Sequence, residues 1–596
     1  MTFERDAKTL ELPWPFTGRQ DELELIRRSV AGGRHGIAVT GPAGRGKSRL
    51  VTEAVRGTDC ARVAGTPGTS GLPFAAFAHL LPETESLHRA VQLLAGVRLL
   101  LVDDAHLLDD ASAALIHQLA VHGRTRLLVV ATDGAPAPDA ISRLWTGELL
   151  PRLALEPLPR EETAHLLAAG AGGPDALTVN RLYRLCQGDL RLLRELVDAV
   201  RERGLVHRVP DSAEWEWRGP VPITAGVRER MAHLLDRTGP GERETLNRLA
   251  FGEPLPTDTG TLDLDALEHL EAEGLVHVDE QGAARLAHPL HGPVLRAAAG
   301  RLRARRLART PGSCAAALDA ETAALTRAIA ATDVRALPAP VGEWLVAEGA
   351  GIPPRHAAVR ARFARLRGEL REAAAWAREG LRTAADDPSC RLELTLAAAQ
   401  SGHPEPTARP NGPAATWSAA ARGDLDTAVD TVGAEPYDAV RLGTPERAAG
   451  RLTGVFAAHA DALARGDGPA LDRAAHALEE RGFLLFAAEA YAQAVRAHRD
   501  PSAARTARTR AVALARRCQG ARTPALSGLV LGELTARQRQ VVTLAATGLS
   551  NRQIAERLTL SIRTVGNHLY SAYARLGASD RDALPCLVEL PETQPA

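Results

Sequence analysis

Between residue 36 and about residue 160, short apolar runs alternate with stretches whose apolar residues recur at helical spacing. Ile37-Ala38-Val39-Thr40, Leu99-Leu100-Leu101-Val102 and Leu127-Leu128-Val129-Val130 read as buried strands. Ser112 to Val121, between the last two, carries apolar spacing suited to a helix. Such alternation predicts a parallel sheet flanked by helices. From about 222 to 300 the pattern turns helical, then closes on Leu267–Leu270, Gly274–Val278 and Arg285–His288. Helix, strand, turn, strand predicts a winged-helix module.

Residues 305 to 520 are rich in Ala, Leu and Arg and have almost no strand signal. Similar heptapeptides begin at Arg367-Gly368-Glu369-Leu370 and Arg422-Gly423-Asp424-Leu425, with a shorter echo at Arg465-Gly466-Asp467. Each glycine falls where one helix of a hairpin hands over to the next, which predicts a degenerate tetratricopeptide-like (TPR-like) solenoid. The Pro/Gly-rich stretch from Pro404 to Pro413 reads as an exposed loop.

Composition narrows this picture only locally. No apolar run approaches the roughly 18 residues a spanning helix needs, and the first ten residues lack the apolar stretch of a secretion signal. A cytoplasmic protein without membrane contact is expected. Six scattered cysteines form no C-x-x-C pair, so reduced thiols are expected rather than disulfides or a metal site. The 72 basic and 72 acidic residues cancel, so any nucleic-acid footprint has to be local. Arginine supplies nearly all the basic residues. The only lysines are Lys8 and Lys47, which draws attention to each.

Lys47 lies in Gly41-Pro42-Ala43-Gly44-Arg45-Gly46-Lys47-Ser48, a G-x-x-x-x-G-K-[ST] run between a strand and a helix. Gly41, Gly44 and Gly46 let the backbone curl so that its N–H groups face phosphate oxygens, and the following helix adds its positive end. Lys47 is placed to reach the β- and γ-phosphates and Ser48 to ligate Mg²⁺. The strand ending in Asp103-Asp104 supplies the matching acids: Asp103 for Mg²⁺, and Asp104 to orient or deprotonate the attacking water. ATP and Mg²⁺ are the expected cofactors.

With Phe16-Thr17-Gly18-Arg19-Gln20-Asp21-Glu22 before the loop, Asp103 to Asp109, Glu156-Pro157-Leu158 and His288-Pro289-Leu290, the chain resembles the large ATP-binding LuxR-type regulators of the STAND class of signal-transduction ATPases. The resemblance implies that Arg19 joins the nucleotide site. Two positions depart from it. Asp133 stands where the class often has a nucleotide-sensing arginine, and Gly188-Asp189-Leu190 stands where a Gly-x-Pro motif usually meets the base. Nucleotide binding with slow turnover is therefore expected.

From Leu534 to Leu584 helix-start signals recur. Thr535-x-x-Gln538 and Ser550-x-x-Gln553 are capping boxes, Ser561 and Ser579 are N-caps, and Gly548 and Gly577 are stops. Leu549 with Ile554, and Leu560 with Val565, are placed as hydrophobic staples. Four short helices result, the second and third about three residues apart, as in a helix-turn-helix. The third is expected to turn Ile562, Val565, Leu569, Ala572 and Leu576 inward and to present Arg563, Thr564, Gly566, Asn567 and Ser571. Residues 534–584 hold seven arginines and three acids; Arg496 to Arg522 holds eight arginines and one acid, Asp500. Such charge suits phosphate contact.

Leu534–Arg537, Gly548–Ala555 and Arg563–Leu569 closely resemble the LuxR/FixJ-type DNA-binding domain. That resemblance implies DNA contact through Arg563, Thr564, Asn567 and His568, and pairing of two copies through the fourth helix. Gly566 replaces a common lysine there. The expected organisation is multidomain, α/β plus α: residues 1–215 a P-loop (AAA/STAND-like) ATP-binding domain with a parallel sheet, 216–304 a winged-helix-like module, 305–524 a TPR-like helical sensor or scaffold, and 525–596 the reader. The reading is a transcription regulator, an activator, that binds double-stranded promoter DNA as a homodimer or higher oligomer, works with RNA polymerase and answers an unknown inducer. Two alternatives stand beside it: a signalling ATPase anchored on DNA, and a scaffold with a merely structural P-loop.

Overall fold

The computed structural model describes residues 14 to 572, except 32–35, 82–85, 210–213, 237, 258–261, 280–281, 308–310, 336–340, 348, 404–411, 434, 528, 530–535, 547, 559, 561, 563, 567 and 570–571. The backbone separates into two units. One comprises Met1–Pro174, Thr178–Trp215 and Val221–Arg301; the other comprises Asp175–Leu177, Glu216–Pro220 and Leu302–Ala596.

The first unit opens with α1 (Gln20–Ala31), β1 (Gly36–Thr40), α2 (Lys47–Ala54), β2 (Ala61–Ala64) and α3 (Leu87–Leu94). It continues with β3 (Leu99–Asp103), α4 (Asp110–His122), β4 (Arg126–Val130), α5 (Asp139–Thr146) and β5 (Arg152–Ala154). The five strands form one parallel sheet in the order β2-β3-β4-β1-β5. The three apolar runs predicted as strands are β1, β3 and β4, the middle of the sheet. Period-two alternation divides them between two covered faces. Ile37, Val39, Leu99, Leu101, Leu128 and Val130 pack with α1 and α2. Ala38, Leu100, Val102, Leu127 and Val129 pack with α3, α4 and α5. Burial on both faces explains why these strands read as continuous apolar runs. Sequence reading missed β2 and β5, which lie at the sheet's edges and are short and partly exposed.

Three helices follow: α6 (Arg160–Ala171), α7 (Ala176–Cys186) and α8 (Leu190–Glu202), then a ribbon of β6 (Val206–Arg208) and β7 (Trp215–Trp217). Next come α9 (Ala225–Asp236), α10 (Pro240–Gly252), β8 (Leu255–Pro256), α11 (Leu264–Ala272), β9 (Val276–Val278), β10 (Ala283–Leu286) and α12 (His291–Ala298). The strands β8-β10-β9 form an antiparallel sheet, and Leu246, Leu249, Leu267, Leu270, Val276 and Leu286 belong to its core.

The second unit is helical. It runs through α13 (Arg301–Leu307), α14 (Pro311–Ala330), α15 (Val341–Ala347), α16 (Pro354–Leu366), α17 (Leu370–Thr383), α18 (Pro388–Gln400), α19 (Pro413–Ala421) and α20 (Leu425–Asp430). Then come α21 (Tyr437–Arg441), α22 (Gly454–Ala464), α23 (Gly468–Glu480), α24 (Leu484–Ala497) and α25 (Pro501–Arg517). Most helices adjacent in sequence pack on one another, as α16 with α17 and α23 with α24 do, and Gly368, Gly423 and Gly466 fall between successive helices. The core holds a buried polar lattice. Arg441 meets Glu489 in two bonds of 2.7 and 2.9 Å beneath Trp417, and His459 links Tyr437 to Gln493. Such a pair is costly to break on one side, because the remaining charge is left buried.

Last come α26 (Ala536–Ala546) and α27 (Asn551–Leu558), with helical backbone again at 562, 564–566, 568–569 and 572. Val541, Val542, Ala545, Ile554, Ala555, Val565, Leu569 and Ala572 share a core, with Leu549 and Leu560 packed against it. Among the described residues no helix is long and apolar enough to cross a membrane.

Candidate nucleotide site and DNA reader

Parallel strands place their C-terminal ends at one edge of the sheet, and loops there gather ligand-binding groups. Here that edge carries residues 41–46 after β1, Asp103 at the end of β3 and residues 131–133 after β4. Gly44 and Gly46 have φ of +78° and +84°, left-handed values that turn the loop into the N-terminus of α2. The Ser48 hydroxyl donates to Asp103 Oδ1 at 2.9 Å, which also accepts the Asp104 N–H at 3.0 Å. Two oxygens that share one proton this closely are a donor set suited to a hard divalent cation. Lys47 is buried, and its ammonium donates to the Gly41 and Pro42 carbonyls at 2.8 and 2.9 Å. Burial lowers its pKa, against the raising influence of Asp104 and Asp133. Asp104, at φ +46°, is held in a left-handed conformation directly after Asp103.

Arg19 sits beside this edge but is engaged elsewhere. It pairs with Glu22 at 2.9 Å and donates to the Glu156 carbonyl. Three further residues stand at the site that sequence reading did not assign to it. His106 Nδ1 accepts the Thr132 N–H at 3.4 Å, and burial lowers its pKa. Arg152, from β5, donates from Nε to Thr40 Oγ1 at 2.8 Å and from Nη2 to Asp133 Oδ1 at 3.1 Å. An arginine therefore reaches the acid that follows β4, carried by β5, which lies on the far side of β1. A short edge strand gave no signal for it.

Asp189 is the third. Its carboxylate caps α8 through the N–H groups of Arg191 and Leu192 at 2.9 and 3.0 Å. It lies so near the loop that a Cβ on Gly44 would come within 2.2 Å of Oδ1. The Leu190 N–H donates to the Gly44 carbonyl at 2.9 Å, and Arg45 donates to the Gln187 carbonyl at 2.8 Å. Arg230 holds the other side of Asp189 at 3.3 Å. Gly188-Asp189-Leu190 is thus bonded to the loop itself.

In the reader, the Ser550 capping box is formed: the Ser550 N–H donates to Gln553 Oε1 at 2.8 Å, and the Gln553 N–H to Ser550 Oγ at 3.4 Å. Gly548 takes φ +88°, stopping α26. Thr564 and His568 are half-buried on the third helical stretch. Arg563 and Asn567 lie outside the described residues, as do Thr535, Ser561, Ser571, Leu576, Gly577, Ser579 and the fourth helix. One expectation needs correction. Ile562 does not turn inward but is 54% exposed. At 100° per residue it falls roughly 50° from the mean direction of Val565, Leu569 and Ala572, at the stripe's edge and the helix's start.

Residues 532–588 match the family described as bacterial regulatory proteins, luxR family. HTH-type transcriptional regulators of Mycobacterium bovis and Mycobacterium tuberculosis are 46% identical over 71 residues, 12% of this chain and only 8% of theirs. One from Escherichia coli K12 is 45% identical over 51 residues, 9% of this chain and 26% of that protein. Among solved structures, a STAND protein with a tetratricopeptide-repeat sensor from Pyrococcus horikoshii aligns over 96% of this chain and 78% of its own, at 14% identity and a TM-score of 0.25. A Walker-type ATPase of Pyrococcus abyssi aligns over 47% of this chain and 96% of its own, at 14% identity and a TM-score of 0.29. Scores of that size place no constraint on the fold. The chain carries a LuxR-family regulatory domain at its C-terminal end. With a P-loop parallel sheet in the same chain, it fits the large ATP-binding type of LuxR-family regulator.

Proposed function

We propose that this protein is an ATP-binding transcription regulator, an activator that binds double-stranded promoter DNA through its C-terminal reader. The observation that carries the reading is the joint presence, in one chain, of the luxR-family match and the Lys47, Ser48 and Asp103 constellation at the end of a parallel sheet. In this reading the nests of residues 41–46 cradle the phosphates, Ser48 and Asp103 hold Mg²⁺, Asp104 addresses water, and Arg19 supports the nucleotide from the entry segment. Arg563, Thr564, Asn567 and His568 meet DNA. Exposed Ile562 offers an apolar contact of the kind that reads a thymine methyl.

The 216–304 segment serves as a winged-helix-like module, supported by the helices around β8-β10-β9. Residues 305–524 serve as a TPR-like carrier of the inducer signal, supported by hairpin after hairpin. The protein works in the cytoplasm, as a homodimer or larger assembly on DNA, with RNA polymerase as its partner. Asp189, bonded between loop and α8, is well placed to report whether nucleotide fills the loop. The test is binding of the full chain to fragments recovered by genomic footprinting, with and without Mg-ATP. Nucleotide-dependent retention of specific fragments is expected; equal retention in both conditions, and in Lys47→Ala, overturns nucleotide control.

A further inference from the structure

The last turn of α18 meets the segment that leads from α25 toward the reader, and both lie in the second unit. The Arg522 N–H donates to the Gln400 carbonyl at 2.8 Å, and the Arg522 stem lies over Gly402, where a Cβ would come 2.9 Å from its Cδ. Gln519, just before, accepts the Glu372 N–H at 3.0 Å, so the same segment is also tied to α17.

Three polar side chains at this joint are left over. Gln400 is 0% exposed, yet neither its amide nitrogen nor its amide oxygen has a hydrogen-bond partner. Thr523 is 4% exposed, and its hydroxyl has none either. Arg522 is half-buried, burial lowers its pKa, and among the described residues no carboxylate pairs with its guanidinium. Helix capping does not use its guanidinium. The carbonyls of Ala397, Ala398, Ala399 and Gln400 already receive the N–H groups of Ser401, His403, Gly402 and Arg522. Buried amides and hydroxyls are nearly always satisfied, and two orphans beside an unmatched guanidinium point to a missing partner.

We propose that Gln400, Arg522 and Thr523 form a binding site for a small oxyanion that also bears a hydroxyl group, either a hydroxycarboxylate or a phosphate ester. The guanidinium takes the oxyanion through paired N–H donors. The Gln400 amide and Thr523 hydroxyl, each both donor and acceptor, take the hydroxyl. Occupancy fastens the 519–526 segment to α18, about ten residues before α26, and so biases how the reader is tethered. That regulatory role rests on the regulator reading; the binding does not.

The experiment is calorimetric titration and thermal melting of the full-length chain with L-malate and with inorganic phosphate. It is done in the Lys47→Ala background so that the P-loop takes no phosphate. At least one probe is expected to bind and raise Tm, with malate preferred if the site takes carboxylates and phosphate if it takes phosphate esters. Arg522→Gln and Gln400→Leu should each weaken binding at least tenfold. Gln400→Leu should also leave the free chain's Tm unchanged or higher, because an apolar side chain replaces an unsatisfied amide. Failure of both probes to bind, or equal binding to Arg522→Gln, overturns the site. So does a Tm lowered by Gln400→Leu without probe binding, which marks a buried water instead. Arg522-dependent binding in a chain that fails to retain DNA keeps the site and discards its regulatory role.

Discussion

Glycine does opposite work at the two ends of this chain. In the phosphate loop, Gly44 has φ +78° and faces the Asp189 carboxylate so closely that no Cβ fits. In the reader, Gly566 sits in helical backbone, and a Cβ there would meet nothing within 4 Å. The loop's glycine is demanded twice, by backbone conformation and by a neighbour. The reader's glycine is demanded by neither, and it costs the helix about 1 kcal/mol relative to alanine. A site that binds by backbone is over-determined by its own fold. A surface that binds by side chains is open, and only its ligand gives such a position meaning.

The largest effect should come from the loop. Lys47→Ala is expected to weaken Mg-ATP binding at least a hundredfold, about 2.7 kcal/mol. Lys47 is the only lysine among the described residues, so none of them offers a substitute ammonium. Binding of the same variant to scrambled duplex should stay within twofold of the parent. Calorimetry with Mg-ATP checks the first half, and undiminished affinity would sink the assignment. Gly44→Ala comes next: left-handed backbone plus the Asp189 contact should destabilise the chain by about 2 kcal/mol. Adding Asp189→Ala removes the contact but not the backbone strain, so the double variant should recover only part of the loss in a denaturant melt. Full recovery would mean that the contact alone demands glycine there.

How much of this was legible beforehand follows the same divide. The three central strands, the loop and both acids could be read because a strand buried on two faces leaves an unbroken apolar run, and because phosphate binding by backbone requires a fixed spacing. β5 and its Arg152 could not: three residues at a sheet edge, two of them exposed, are too short a run to carry a periodicity. Asp133 read as a lost arginine because its partner comes from another strand, 19 residues on. Asp189 read as a departure from a motif, while its contact with Gly44 exists only in three dimensions. In the reader, the Ser550 box and the Gly548 stop were legible because capping is local. Ile562 was misjudged because a 3-4-3-4 count ignores how far a residue drifts at the end of a stripe. The orphaned Gln400 amide has no sequence signature at all.

Asp104 tests whether the loop is more than a binding device. Its φ of +46° is one that asparagine adopts readily, so Asp104→Asn removes charge while keeping the turn. Turnover should fall about tenfold, roughly 1.4 kcal/mol, while Mg-ATP affinity changes less than twofold. The parent rate itself should lie well below the ordinary median of about 10 per second. Steady-state phosphate release measures both. A parent turning over at ordinary enzyme rates would favour the signalling-ATPase reading, and equal loss of binding and turnover would make Asp104 part of the metal site instead.

The smallest effect is the most informative about the reader. Gly566→Ala should stabilise the helix by about 1 kcal/mol, because helical backbone and open space both favour a side chain there. Gly566→Lys should do nearly the same and add a charge. If DNA passes at a distance, that charge neutralises one phosphate, steepens the log–log salt dependence by about 0.9, and raises affinity for every duplex alike. If the helix must press close to the base pairs, the lysine should cost cognate affinity while the melt still shifts upward. The open space around Gly566 favours the first outcome, since among the described residues nothing lies within 4 Å of a Cβ there. The deciding measurement is a salt titration of both variants on a cognate and a scrambled duplex. A cognate-only loss with unchanged scrambled affinity would reverse the comparison drawn between the two glycines, making Gly566 a position held open by the DNA as firmly as Gly44 is held open by Asp189.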